Sequence, residues 1–324
     1  MCYDIAMTIQ DAITSSADFK RQQLEIKEGK NAKTTLLISK DEDYSFEFAR
    51  LLACANFSGG QAVEDEHFVK VMANSHPDLK VYPIKNQLLV ADSEEIVFES
   101  SVKPIFADKK IFIIKNIEKS MESAQNKLLK TLEEPSKDAY FIITTTNADL
   151  VLPTIKSRCS KVELGKLDQS VIAQILAEDE NKQIILALSD GLIGKAQKLA
   201  QTKNLKGLFD CVLSCLTKMS SSKEVLAYAK KLAPFKDEFS LLMETFSVMV
   251  EELIFIRAGR RNLSRLGSFG DELAFASGDY TLDALVEIQK LITKAVKEMS
   301  YNCNFTLVIE NLLLNILEVK YLCK

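Results

Sequence analysis

One arginine in this chain stands where it could neutralise charge during phosphoryl transfer. Leu152-Pro153-Thr154-Ile155 leads into Ser157-Arg158-Cys159, which reads as a loop presenting a single guanidinium. Before it, Ala124 to Glu134 reads as a helix stopped by Pro135, and Phe141 to Thr146 as a buried strand. A loop arginine at a subunit edge can enter a neighbour's nucleotide site, and such residues are worth roughly 10³–10⁵ in rate. Taken alone, Arg158 reads first as a surface cation paired with a carboxylate. Set in its helix–strand–loop segment, it reads as an arginine that acts in trans.

The groups that would hold a nucleotide in cis are missing. A phosphate loop needs glycines whose backbone N–H groups curl around the oxyanions, and a lysine that reaches the terminal phosphates. Its place is after the apolar strand Thr34–Ser39, where the chain runs Lys40-Asp41-Glu42-Asp43-Tyr44, three carboxylates and no glycine. Gly29-Lys30-Asn31 precedes that strand instead of following it. Gly191-Leu192-Ile193-Gly194-Lys195-Ala196 has the wrong spacing and no hydroxyl for magnesium. The strand Lys110–Ile114 should end in acids that hold the metal, yet it continues Lys115-Asn116-Ile117-Glu118, and a lysine there repels Mg²⁺. The chain is therefore expected to have no ATPase or polymerase activity of its own, no cofactor and no catalytic residue in cis.

The remaining reactive side chains are weaker signals. Lys127, Lys130, Glu133 and Glu134 share one predicted helix, either as charge pairs on a solvated face or as a relay of nucleotide state near a subunit boundary. Cys54, His67 and His76 are too loosely spaced for a structural zinc site, and two histidines support no nucleophilic triad. The seven cysteines, at 2, 54, 159, 211, 215, 303 and 323, include no CxxC pair and read as reduced, mostly packed thiols. Cys211 and Cys215 would share a helix face, with nothing nearby to complete a metal site.

These residues need a scaffold, and the pattern supplies one. Strands alternate with helices up to about residue 165, which implies a parallel sheet covered on both faces. Residues 5–28 suggest one helix, Phe46–Ala55 another, and Ser58–Gln61 a turn. His76-Pro77-Asp78-Leu79 is an extended turn, because the residue before a proline is pushed out of the helical region. Gln87–Ala91 is a strand or the approach to a helix that Ser93-Glu94-Glu95 would cap. Short helices follow over Asp168–Ala177, Lys182–Leu188 and Gly194–Gln201, with a break at Asp190-Gly191. From about 205 the chain is helical, with Gly267-Ser268-Phe269-Gly270 as a surface loop. Leu282 to Met299 carries a broad apolar face, and Phe305 to Leu322 is apolar nearly all round, as a bundle or interface helix would be.

The 324 residues allow two or three domains, and 47% hydrophobic residues supply their cores. With 41 Lys+Arg against 45 Asp+Glu, the net charge of −4 makes bulk polyanion binding unexpected, so any DNA contact is local or belongs to partners. No apolar run reaches the roughly 20 residues that span a bilayer. Met1-Cys2-Tyr3-Asp4 is not a secretory start, which suggests a cytoplasmic protein.

The "LLKTLEEP" run at 128–135, "LPTIKSRC" at 152–159 and "HPDL" at 76–79 resemble the delta-prime subunits of bacterial DNA polymerase III clamp loaders. Asn302-Cys303-Asn304 followed by Val308–Leu313 resembles that family's closing helix. The first two runs are shared with the ATP-hydrolysing subunits; "HPDL", the missing phosphate loop and the short C-terminus point to delta-prime. The resemblance implies an AAA+ parallel-sheet core over 1–165, a helical lid over 166–204 and a helical collar for oligomerisation over 205–324. It implies a hetero-oligomeric arc in which tau/gamma-type ATPase subunits stand between delta and delta-prime, and which handles the sliding clamp and primer-template DNA during replication. It maps Arg158, flanked by Ser157 and Cys159, onto the family's trans-acting arginine finger, and Thr145 or Thr146 onto a sensor position. Many relatives carry a four-cysteine zinc module before "HPDL"; here Cys54–Val63 holds one cysteine, so no zinc is carried over. Two alternatives stand beside this reading. An active AAA+ ATPase with an unusual loop would bind ATP when isolated, and a delta-type clamp opener would bind the clamp directly and tightly.

Overall fold

The structure is a computed structural model that describes residues 7–63, 65–85, 87–176, 179–260, 265–267 and 269–322. Met1–Asp4, Ile5, Ala177, Ser268 and Cys323, which enter the reading above, lie outside the described residues. The chain divides into two compact units, Met1–Ile175 with Gly191–Lys195, and Leu176–Asp190 with Ala196–Lys324.

The first unit opens with α1 (Ile9–Ser15) and α2 (Ala17–Lys27) in place of the single helix expected over 5–28. Ser16 makes the break: its backbone is extended and its hydroxyl accepts the Phe19 N–H at 3.2 Å, so a capping residue starts a second helix. Then come β1 (Thr34–Ile38), α3 (Glu42–Phe57), α4 (Glu66–Met72), β2 (Leu79–Tyr82), α5 (Val90–Ser101), β3 (Lys110–Ile114), α6 (Glu122–Glu133), β4 (Ala139–Thr145), α7 (Pro153–Lys156), β5 (Ser160–Glu163) and α8 (Gln169–Ile175). Among the described residues the strands form one five-stranded sheet in the order β2-β3-β4-β1-β5, with every pair parallel.

Parallel strands covered on both faces need apolar side chains on both, and Ile111, Phe112, Ile113 and Ile114 of β3 are all fully buried. Leu36, Phe112, Ile114, Phe141 and Ile143 face one layer, where Ile96, Leu128, Leu132 and Ile155 complete a core. The Phe112 and Phe141 rings stack there at 5.0 Å. Alternate residues, Leu37, Ile113 and Ile142 among them, face the other way, the side on which α3 packs against β1, β3 and β4.

Two strands escaped the sequence reading. β2 is short and only Tyr82 of it is buried; β5 is mostly exposed. Neither has the continuous apolar run of a central strand. The "HPDL" turn leads directly into β2, and Asp78 explains it. Its fully buried carboxylate accepts the backbone N–H groups of Ile105, Phe106 and Ala107 at 2.7, 2.7 and 2.8 Å. The loop entering β3 is thereby tied to the residue entering β2, which pins Leu79 opposite Ile111. Gln87–Ala91 is the approach to α5. That helix begins at Val90, where Asp92 accepts the Leu89 N–H at 2.8 Å, so Ser93 is not its cap. Ser93 is buried, and its hydroxyl donates to the Ala124 carbonyl at 3.0 Å.

In the second unit α9 (Lys182–Ser189) ends at Asp190, and Asp190 and Gly191 both have positive φ; α10 (Ile193–Ala200) follows, its residues up to Lys195 belonging to the first unit. Beyond them lie α11 (Leu205–Thr217), α12 (Ser222–Leu232), α13 (Phe239–Arg257), α14 (Phe269–Ser277), α15 (Leu282–Ser300) and α16 (Phe305–Leu322). Among the described residues no strand follows Glu163, so the expected class, α/β followed by all-α, is the one seen. Phe269 and Gly270 are not a surface loop: they open α14, and the Phe269 ring packs 4.8 Å from Phe209. Nor is α16 covered all round. Ile309, Leu313 and Ile316 are buried, while Leu307 and Leu314 are exposed. No helix among the described residues is long and apolar enough to cross a membrane.

Replacing Asp78 with Ala should cost about 2–4 kcal/mol, because three backbone donors lose a charged acceptor. Asp78→Asn, which keeps one carbonyl oxygen, should cost less. Denaturant unfolding followed by circular dichroism measures both, and equal stability of Asp78→Ala and the parent would contradict the role assigned to the turn.

Candidate functional site: a half-buried arginine and a closed phosphate position

In an open parallel sheet the ligand crevice lies beyond the carboxyl ends of the strands, where the connections switch direction. Here that place is the end of β1, since the chain leaves β1 for β2 and later crosses from β4 to β5 on β1's other side. The loop at this point is only Ser39-Lys40-Asp41, and the acidic residues form the first turn of α3. α3 starts four residues before the expected Phe46 because Asp41 caps it, its Oδ1 accepting the Tyr44 N–H at 3.1 Å.

Asp41 has a second partner. Its Oδ2 accepts the N–H of Gly194 at 2.7 Å, from the first turn of α10. A Cβ at Gly194 would fall 2.3 Å from Asp41 Oδ1 and 2.7 Å from Asp43 Cβ, so only glycine brings this backbone so close. Gly194, set aside above with Gly191 as a phosphate loop, serves a contact to a carboxylate. Helix N-termini attract anions. At the switch point two of them are satisfied by the protein's own Asp41.

Glu42 closes the metal side. One of its oxygens accepts from Asn116 Nδ2, and the other from Lys119 Nζ at 2.8 Å. Asn116, the second residue past β3, is held in a left-handed conformation, and its N–H donates to Thr144 Oγ1 at 3.0 Å. Lys115 lies over the Phe46 ring at 4.8 Å. Thr145 and Thr146, which the resemblance maps onto a sensor position, are engaged internally: Thr145 Oγ1 accepts the Asn147 N–H at 3.2 Å, and Thr146 donates its N–H and hydroxyl to Glu118 at 3.0 and 2.6 Å.

Arg158 lies just past α7. Pro153 starts that short helix, and Ile155, fully buried, anchors it in the core formed by α5 and α6. Cys159 packs against the same core, and burial pushes its thiol up to about 12. Between these anchors Arg158 turns outward. Its Nε and Nη2 donate to Glu133 at 3.0 and 2.7 Å, and its Nη1 donates to the Thr154 carbonyl at 2.9 Å. Ser157 donates its hydroxyl to the same carbonyl at 3.1 Å. Sequence reading singled out Arg158 but not its partner. Glu133, read there as one of four charges on a helix face, pairs across the fold instead, and Lys127 reaches Glu94 on α5 at 2.9 Å.

The two histidines do come together, as packing. His67 Nδ1 and His76 Nε2 lie 2.9 Å apart, His76 Nδ1 accepts the Asp78 N–H at 3.2 Å, and His76 stacks on Phe57 at 4.0 Å. Burial, and then the neighbouring His67, lower the His76 pKa. Cys54 is a buried thiol, and burial first and Asp65 second push it up to about 12. Among the described residues no group of three or more His, Cys, Asp or Glu could hold a metal. Cys215 is buried and Cys211 half-buried on α11.

Parts of this α/β core have counterparts in sequence among replication proteins. Residues 15–168 match the family described as DNA polymerase III, delta subunit. The chain is 29% identical over 148 residues to the DNA polymerase III subunit tau/gamma of Haemophilus influenzae, covering 46% of this chain and 20% of that protein. It is 31% identical over 112 residues to the subunit delta′ of Bacillus subtilis, covering 34% of each. A solved DNA polymerase III gamma subunit-related protein from Thermotoga maritima superposes over 94% of this chain and 99% of that one, at 17% identity and a TM-score of 0.48. The chain thus resembles the clamp-loader subunits of DNA polymerase III, and within them it is delta-prime-like. The matched stretches span about a third or less of the tau/gamma and B. subtilis delta′ proteins.

The packed state of Cys159 has a chemical consequence. At pH 8 its thiol should stay protonated and alkylate with iodoacetamide far more slowly than the exposed Cys303. Peptide mapping by mass spectrometry reads the order, and equal labelling would show that the residue anchoring Arg158 is not packed.

Proposed function

We propose that this chain is a non-hydrolysing, delta-prime-type stator of a DNA polymerase III clamp loader. In this role it supplies Arg158 in trans to the ATP site of a tau/gamma-type neighbour while the sliding clamp is loaded onto primed DNA. The observation that carries the reading is the pairing of opposites in one core: an outward, anchored Arg158 and a phosphate position filled by Asp41 and Glu42. A guanidinium suits the task because it is always charged and its fork matches phosphate oxygens two at a time. The similarity to delta′ and tau/gamma proteins supports the same assignment.

The domain roles belong to this proposal: an AAA+ core over 1–165, a lid over 166–204 and an oligomerisation collar over 205–324, with the delta subunit as a further partner. The exposed Leu282, Val286 and Val296 on α15 and Leu307 and Leu314 on α16 support a collar, since apolar side chains left facing water mark contact surfaces. The clamp and primer-template DNA are reached through the assembled complex.

The isolated chain should show no heat of Mg-ATP binding at high micromolar concentrations in calorimetry. A one-to-one isotherm would overturn the non-hydrolysing reading. Arg158→Ala should leave folding and assembly intact and slow DNA- and clamp-stimulated ATP turnover in the reconstituted complex. The loss should be at least about threefold but below the roughly 10³-fold of a lone finger, because other sites keep their own arginines. Arg158→Lys should rescue poorly, as it restores charge without the fork. Wild-type turnover by Arg158→Ala would make Arg158 an ordinary surface cation.

A further inference from the structure

Glu133 sits where a helix does not favour it. It is the last residue of α6, just before Glu134 and Pro135, and a carboxylate in a C-terminal turn faces the negative end of the helix dipole. Its partner is 25 residues away in sequence, in the loop after α7. A local preference broken in favour of one long-range contact indicates that the contact has a use.

A guanidinium carries five N–H donors. Among the described residues Arg158 spends three of them: Nε and one Nη2 hydrogen go to the same Glu133 oxygen, and one Nη1 hydrogen to the Thr154 carbonyl. One N–H remains on each Nη, and the side chain keeps 28% of its surface exposed. The arginine is thus held through all three of its nitrogens, with one N–H on each Nη left for another ligand. A long, flexible cation fixed this way loses less freedom when it meets an anion.

We infer that Glu133 is a positioning residue for Arg158: it orients the guanidinium toward a nucleotide phosphate presented by a neighbouring subunit, and stays bound while the two remaining N–H groups engage it. The inference rests on the trans-acting reading of Arg158. It adds the residue that aims the arginine, and Glu133 itself touches no substrate.

The test is a double-mutant cycle in the reconstituted complex. Glu133→Ala should lower stimulated kcat by about two- to fivefold, the size of an exposed ion pair's contribution, with the KM for ATP unchanged. Glu133→Gln keeps a carbonyl acceptor for Nε and Nη2 and should restore most of the rate. In an Arg158→Ala background Glu133→Ala should add nothing. In the isolated chain, ¹⁵N NMR should show the Arg158 Nε–H protected from exchange, and Glu133→Ala should abolish that protection. If Arg158→Ala is slow while Glu133→Ala is unchanged or additive, the positioning role is wrong and the trans-acting reading stands. If Arg158→Ala itself turns over at the parental rate, the trans-acting reading fails, and the inference with it.

Discussion

The carboxylate of Asp41 lies between two helix starts, and the character of the sheet's carboxyl end depends on it. Backbone N–H groups at a helix N-terminus have no intrahelical acceptor and carry partial positive charge. In a nucleotide-binding α/β domain this is where phosphate is held. Here Asp41 takes the Tyr44 N–H of α3 and the Gly194 N–H of α10. With both donors already meeting a fixed negative charge, an incoming phosphate would face repulsion where it needs hydrogen bonds. Gly194 is the geometric condition for this arrangement, since any side chain there collides with Asp41. Glu42 extends the same logic one residue further, by joining the start of α3 to the loop after β3 through Asn116 and Lys119.

Most of the central sheet was legible in sequence because its strands satisfy one strong constraint. Burial on both faces writes a continuous apolar run, as in Lys110–Ile114, and such a run has few other readings. The edge strands were not legible for the same reason reversed: Ser160–Glu163 buries only Val162, so its pattern is that of a loop. At the site, the short acidic connection after β1 could be read from the absence of glycine and the three acids. What the acids do could not. Gly194, the second partner of Asp41, and Asn116, a partner of Glu42, lie 153 and 74 residues away, and no local pattern encodes them. Glu133 was hidden differently, because four charges on one helix invite a local pairing that the fold replaces with contacts to α5 and to the loop after α7.

Arg158 and the closed phosphate position are held by different parts of the unit. Ile155 and Cys159 anchor the arginine to the layer built from α5, α6 and one face of the sheet. The closure belongs to α3, the start of α10 and the loops after β1 and β3. Substitutions that share no partners tend to act independently. A core of this design can lose its own phosphate contacts without disturbing the segment that presents the arginine. On the proposed reading, Arg158 would then keep a placement that does not vary with a nucleotide bound to its own core. Under the proposed function such a fixed placement has a use, because a ligand shifts only states that differ in their affinity for it.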